Sequence, residues 1–274
     1  FKLVSLLFLF IGQTFYLCLV VMLANGIATS VFSVAAKYYI KATSENISES
    51  FSVRMTLNNT GAAVAPVLIT LCVFSSLPFT YALLILTGIF MGGILFSVKL
   101  RSCSGETEKR FYYLHLSDLT GRDTVLISVV SIIFAMLYYS FEVIVPLELI
   151  RSGIEYLIGP VLLFNTLVII AGQIPVYRYF TEKWGITAAL MAATGLCILL
   201  FIPWFSGIAE LPGLLLMVLG VTLLEMFYGA GIDTLITLAD SPRKIAVLDG
   251  ISGISLAIGA AMTAAVYSDS VLFL

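Results

Sequence analysis

Long apolar stretches follow one another along this 274-residue chain, and the basic residues fall at every second polar break between them. Nine apolar spans can be threaded so that thirteen of the fourteen Lys and Arg residues lie on one side; only Arg151 falls on the other. Cytoplasmic loops of membrane proteins carry an excess of Lys and Arg, so the pattern predicts both the crossings and their orientation. A chain with this pattern folds as a helical membrane protein, because a spanning segment must satisfy its backbone hydrogen bonds internally.

Composition excludes the soluble alternatives. Hydrophobic residues make up 60% of the chain and charged residues 11%, against about a quarter charged in a soluble domain. A net charge of −2 gives no basic face for nucleic acid. Cys18, Cys72, Cys103 and Cys197 share no close spacing, so they read as apolar packing residues rather than a metal site or disulfide framework. One histidine, His115 in a polar loop, provides no metal or nucleophile site. The chain starts Phe-Lys-Leu, without Met or a signal-peptide pattern, and ends in an apolar run, so both ends read as cuts in a longer protein.

About 20 apolar residues cross about 30 Å of hydrocarbon. Residues 3–36 carry no charge and divide into two short spans with a turn at 16–19; residues 55–98 divide at Ser75-Ser-Leu-Pro78. Further spans are expected at 123–149, 156–180, 186–204, 211–239 and 245–267. The domain expectation is a four-helix bundle over 1–98, a polar cytoplasmic linker over 99–123 and a five-helix bundle over 124–274. Asn46-Ile-Ser48 and Asn58-Asn-Thr60 match the glycosylation acceptor pattern, but a cytoplasmic loop and a span interior make both chance matches.

Ionisable residues inside a span are costly and are read first as functional. Glu142 and Glu225 lie deepest. Tyr138 and Tyr139 precede Glu142 by four and three residues, Pro146 follows it by four, and Tyr228 and Gly229 follow Glu225 by three and four, so each set can share a helical face. A carboxyl group beside phenols in a low dielectric suits reversible protonation, or cation binding; the structural alternative is a hydrogen-bonded carboxyl that holds helices together. Gln13, Asn25, Asn58, Asn59, Asn165 and Gln173 are uncharged polar residues in spans, destined for interhelical bonds or cavity lining. Small residues recur at every fourth position in two sets, Gly253/Ala257/Ala261 and Ser255/Gly259/Thr263, and in Gly61/Ala65 before Pro66, a sign of close helix packing. No catalytic constellation or phosphate-binding glycine loop is present.

Two segments echo each other. Asn25-Gly-Ile-Ala-Thr-Ser leads to a basic loop, then Arg54 and Asn59-Thr-Gly-Ala-Ala-Val-Ala-Pro66. Tyr228-Gly-Ala-Gly-Ile-Asp233-Thr leads to Asp240-Ser-Pro-Arg-Lys244, then Gly250-Ile-Ser-Gly253. Parallel repeats of this kind are a transporter architecture. These stretches resemble the major facilitator superfamily. Arg54 with Asn59, Gly61 and Pro66 is similar to that family's fifth helix, and Gly172-Gln-Ile-Pro175-Val-Tyr-Arg178 with Gly185 to the loop after its eighth. Pro146 is similar to the outer part of its seventh, and Glu225 with Tyr228 and Gly229 to its tenth, as written in multidrug-efflux branches. Ala65-Pro66-Val67-Leu68 departs from the antiporter pattern of Gly-Pro followed by two glycines, which leaves the direction of transport open.

The resemblance implies an all-α polytopic membrane protein whose nine helices correspond to helices three to eleven of twelve. It also implies a monomeric secondary transporter in a bacterial inner membrane that expels small organic molecules against a proton gradient. Glu225 and Glu142 would be the protonatable groups. Asn25, Asn59, Asn165, Tyr138 and Tyr228 would line the substrate cavity. Arg54, Gly61, Pro66, Arg178 and Asp233 would serve gating or packing. No cofactor, metal or nucleic-acid partner is implied. Two readings compete: an uncoupled facilitator or importer, and, more distantly, a membrane-embedded enzyme.

Overall fold

The computed structural model describes residues 15–74, 79–97, 121–206, 210–239 and 241–271. All regular structure among these is helical. The described residues form eight α-helices: α1 (Phe15–Thr43), α2 (Ile47–Phe74), α3 (Phe79–Ser97), α4 (Arg122–Arg151), α5 (Ile158–Trp184), α6 (Ile186–Phe205), α7 (Glu210–Thr237) and α8 (Pro242–Val271). A 3₁₀ turn, Glu155–Leu157, leads into α5. The chain forms two compact units, Phe1–Thr43 with Ala62–Phe111, and Ser44–Gly61 with Tyr112–Leu274.

Among the described residues five helices, α4 to α8, are long and apolar enough to cross a membrane. Their ends fall within a few residues of the spans read from the sequence. The break expected at 75–78 sits between α2 and α3, its own residues outside those described. One expectation is corrected: residues 16–19 are not a turn but the first turn of α1, because nothing in Tyr-Leu-Cys-Leu interrupts a helix. Lys2, Gln13, Cys103, His115 and residues 99–120 of the expected linker lie outside the described residues.

Short connections set the topology of the second unit. α5 and α6 are joined by Gly185 alone, at φ +79°, a left-handed backbone that glycine adopts without the strain other residues incur. Gly153, at φ +68°, turns the chain between α4 and the 3₁₀ segment. Asn46 starts α2: its Oδ1 accepts the Glu49 backbone N–H at 3.1 Å, and its amide donates to Glu49 Oε2 at 3.2 Å. This Asn, at the head of a glycosylation-like triplet, is a helix cap.

Helix α7 is the axis of this unit. It packs against α4, α5, α6 and α8. Of its most apolar window 67% is buried, against 17–33% for the other four. Gly220 lets α6 approach closely: a Cβ there would stand 3.3 Å from Cys197 Cα. Gly213 does the same against the Trp204 backbone, at 3.2 Å. Small residues thus replace the hydrophobic driving force, which lipid does not provide between helices.

The two small-residue sets on α8 separate cleanly. Ser255, Gly259 and Thr263 are buried, while Gly253, Ala257 and Ala261 are exposed. A Cβ on Gly259 would come within 2.6 Å of both Ala135 Cβ and the Ile132 carbonyl oxygen of α4. Thr263 donates to the Met136 carbonyl at 3.4 Å. Outward faces carry large apolar side chains such as Leu199, Leu167 and Phe164, the arrangement lipid demands.

Gly259→Val is therefore expected to lower stability by about 1–3 kcal/mol, the usual range for overpacking. Gly253→Ala, where the new methyl meets no atom within 4 Å, stays within about 0.5 kcal/mol of the parent. Unfolding of the purified protein in detergent measures both, and equal effects would place the packed stripe on the wrong face.

Candidate functional site

Two polar clusters interrupt the apolar interior of the second unit. The first is built around Glu225 on α7. Asn165 of α5 is buried and donates its amide to Glu225 Oε2 at 3.5 Å. The Asn165 carbonyl oxygen accepts the hydroxyl of Thr222, one turn before Glu225. That hydroxyl also faces the Val218 carbonyl at 2.7 Å, so its single hydrogen is shared between two acceptors. Asn165 is thereby held in one orientation, with its donor side towards the carboxylate.

From α4, Tyr138 and Glu142, one helical turn apart, lie close enough to Glu225 to interact with it electrostatically. The two carboxylates also interact with each other. Glu225 is partly buried, whereas Glu142 is exposed on the face of α4. Four residues singled out in the sequence, Glu225, Glu142, Asn165 and Tyr138, thus come together from three helices.

Tyr228 is placed differently. It is buried, its ring stacks on Phe134 at 3.7 Å with an interplanar angle of 1°, and its hydroxyl donates to Ser131 at 2.8 Å. Ser131 in turn meets Ser252 of α8 at 3.2 Å. Tyr228 therefore ties α7 to α4 and α8, and Phe134 links it to Tyr138 through a stacked contact at 5.4 Å. Helical spacing alone put Tyr228 beside Glu225; its hydroxyl finds its partner across the helix packing.

The second cluster lies where α2 begins and α5 and α7 end. Arg54 donates to Asp233 at 3.0 Å, with the two side chains 20% and 18% exposed. Arg54 also lies 5.8 Å from the ring of Phe51. Arg178 pairs with Glu182 at 2.9 Å and reaches Glu49 of α2 at 3.8 Å. Ser48 donates to the Tyr177 hydroxyl at 3.2 Å. Between the clusters, fully buried Gln173 donates to the Met226 carbonyl at 2.6 Å, and its carbonyl oxygen has no partner. Next to this bond, Met55 of α2 fills the notch at Gly229 of α7, where a Cβ would overlap it.

The remaining residues are more dispersed. Asn59 is buried and bonds the Met55 carbonyl of its own helix at 3.1 Å. Asn25 is exposed on α1, in the other unit, and its backbone carbonyl accepts Thr29. Gly61 is exposed with no atom near a would-be Cβ, and Pro66 lies within α2. Arg151 pairs with Glu148 at 2.7 Å at the end of α4, an ordinary surface ion pair. Sequence reasoning missed Thr222, Ser131, Ser252, Glu49 and Glu182. Hydroxyls are poor signals in apolar helices because they also satisfy themselves on the carbonyl four residues back, as Thr194 and Thr234 do.

Chemically, the first cluster is a pair of carboxyl groups, a phenol and an oriented amide in an apolar surround. It can hold a proton or a cation. It has no nucleophile with an adjacent base, and among the described residues no group of three metal-ligating side chains occurs. The Major Facilitator Superfamily model matches residues 3–268. No curated protein and no solved structure matches the chain.

The Arg54–Asp233 contact yields a double-mutant cycle. Each single alanine variant leaves a partly buried charge without this partner, and the coupling energy is expected at about 0.5–3 kcal/mol. Thermal unfolding of the two single variants and the double variant measures it. Strict additivity would show that the pair contributes nothing beyond its separate members.

Proposed function

The chain belongs to the major facilitator superfamily, and on that premise we propose that it is a proton-coupled secondary transporter that expels small organic molecules by alternating access. Members of that family are membrane transporters of small molecules rather than enzymes. What carries the finer reading is one observation: a carboxylate on the central helix, Glu225, held by Asn165 and facing Tyr138 and Glu142. In hydrocarbon, such a group is retained at a cost of about 2.5–3.5 kcal/mol on insertion scales, so it is expected to have a use.

In this reading Glu225 exchanges its proton while Asn165 and Thr222 keep the carboxyl positioned. Glu142, being exposed, receives the proton or the substrate first. Tyr138 lies beside the two carboxyls and, with Asn165 and Asn59, lines the route in this unit; Asn25 is the cavity candidate of the other unit. Arg54, Asp233 and Arg178 form contacts that open and close at the cytoplasmic end. The nine spans correspond to helices three to eleven of twelve, in a monomer of a bacterial inner membrane. Efflux rests on the likeness of Glu225, Tyr228 and Gly229 to the tenth helix of multidrug-efflux branches.

The test is transport by the full-length protein in proteoliposomes under an imposed pH gradient. Glu225→Gln is expected to lower proton-driven transport at least tenfold while leaving substrate counterflow largely intact. Glu142→Gln is expected to weaken coupling less. Wild-type coupling in both variants would sink the assignment, and counterflow insensitive to pH in the parent would favour the uncoupled facilitator.

A further inference from the structure

The buried face of α5 repeats at every fourth residue: Asn165, Ile169, Gln173 and Tyr177. Its polar members run from one polar cluster to the other. Asn165 holds Glu225. Two turns on, the Met226 carbonyl accepts the Gln173 amide, so Gln173 Oε1 points elsewhere and is a buried acceptor without a donor. One turn further, the Tyr177 hydroxyl accepts Ser48 and lies within electrostatic reach of Asp233. The apolar member, Ile169, is fully buried. Met226 of α7, also buried, covers the same stretch: a Cβ on Gly172 would stand 2.9 Å from its methyl carbon.

Inside a bundle surrounded by hydrocarbon an acceptor without a donor is costly, and internal water is the usual donor to one that no side chain reaches. A further hydroxyl is buried against the same residue: Ser52 donates to the Gln173 backbone carbonyl at 3.4 Å. We propose that this stripe is the proton path between Glu225 and the Arg54–Asp233 end of the bundle, with a water at Gln173 Oε1 as its relay and Ile169 as the dry turn that closes it. The inference rests on the coupling reading above. A proton leaves the Glu225 carboxyl for a water oxygen, and a different proton leaves that water towards Tyr177. Gln173 accepts an O–H bond throughout and is never itself protonated. Asn165 and Gln173 are separated by about 12 Å of helix rise, and the apolar side chains between them keep water out. Without that gap Glu225 would stay connected to one side, and protons would cross without substrate.

Proton flux with no substrate present tests the path, using the full-length protein in proteoliposomes that enclose a pH-sensitive dye. Under an imposed pH gradient the parent is expected to be tight. Ile169→Ser should raise the flux roughly tenfold, Ile169→Thr should raise it too, and Ile169→Val should stay tight. Adding Gln173→Leu or Glu225→Gln to Ile169→Ser should return the flux to the parental level, which a leak through misfolded protein would not do. Adding Gln173→Glu, which keeps the oxygen, should leave the leak in place. Thermal unfolding in detergent identifies which Ile169 variants are folded, and Ile169→Thr, nearer in volume, stands in should Ile169→Ser not fold. A folded but tight polar variant at Ile169 would overturn the path, and so would a leak that survives both second substitutions. The coupling reading is decided separately, by proton-driven transport in Glu225→Gln, so failure of the path and failure of that reading are distinguishable.

Discussion

Hydrocarbon offers no hydrogen bonds, and most polar groups described in the bundle are arranged around that fact. Backbone groups are satisfied by long helices. Side chains are satisfied across helices, and most of these bonds converge on α7. Asn165 and Gln173 reach it from α5, Ser131 meets its Tyr228 from α4, and Arg54 meets its Asp233 from α2. Lipid provides little drive to bring helices together, so these bonds and the glycine contacts specify which faces meet.

The same constraint explains why one helix carries both the packing and the deepest carboxyl group. A residue that must be polar in this solvent is tolerated where it is surrounded by protein, and α7 is the helix that protein surrounds. Glu225 sits there with Asn165 and Thr222 as fixed neighbours. Glu142, on α4, sits on an exposed face instead. The two carboxyls thus differ in access to their surroundings.

Much of the helix layout was legible because the apolar stretches are long and their breaks are polar. Gly185 marks a real boundary. That residues 16–19 continue as helix was not legible, since an uncharged run contains no signal of its own and length alone invited a division. The Glu225, Glu142, Tyr138 and Asn165 group could be named in advance, because charged and amide groups stand out in apolar helices. Which small-residue set on α8 is packed could not be read, because the two differ only by a rotation about the helix. Nor could the partner of Tyr228, which depends on α4 and α8 standing where they do. Asn46 shows the converse: a pattern that resembled a modification signal is explained by local capping.

Gly185 has a mechanical meaning. A one-residue joint leaves α5 and α6 no slack, so the two helices form a clip. One arm is bonded to α7 through Asn165 and Gln173, and the other lies against Gly213 and Gly220 of the same helix. Sliding α7 by one residue, about 1.5 Å, would break the bonds on one arm and wedge side chains into the other. The three helices are therefore tied to one another, with Glu225 and Asp233 both on the helix that the clip holds.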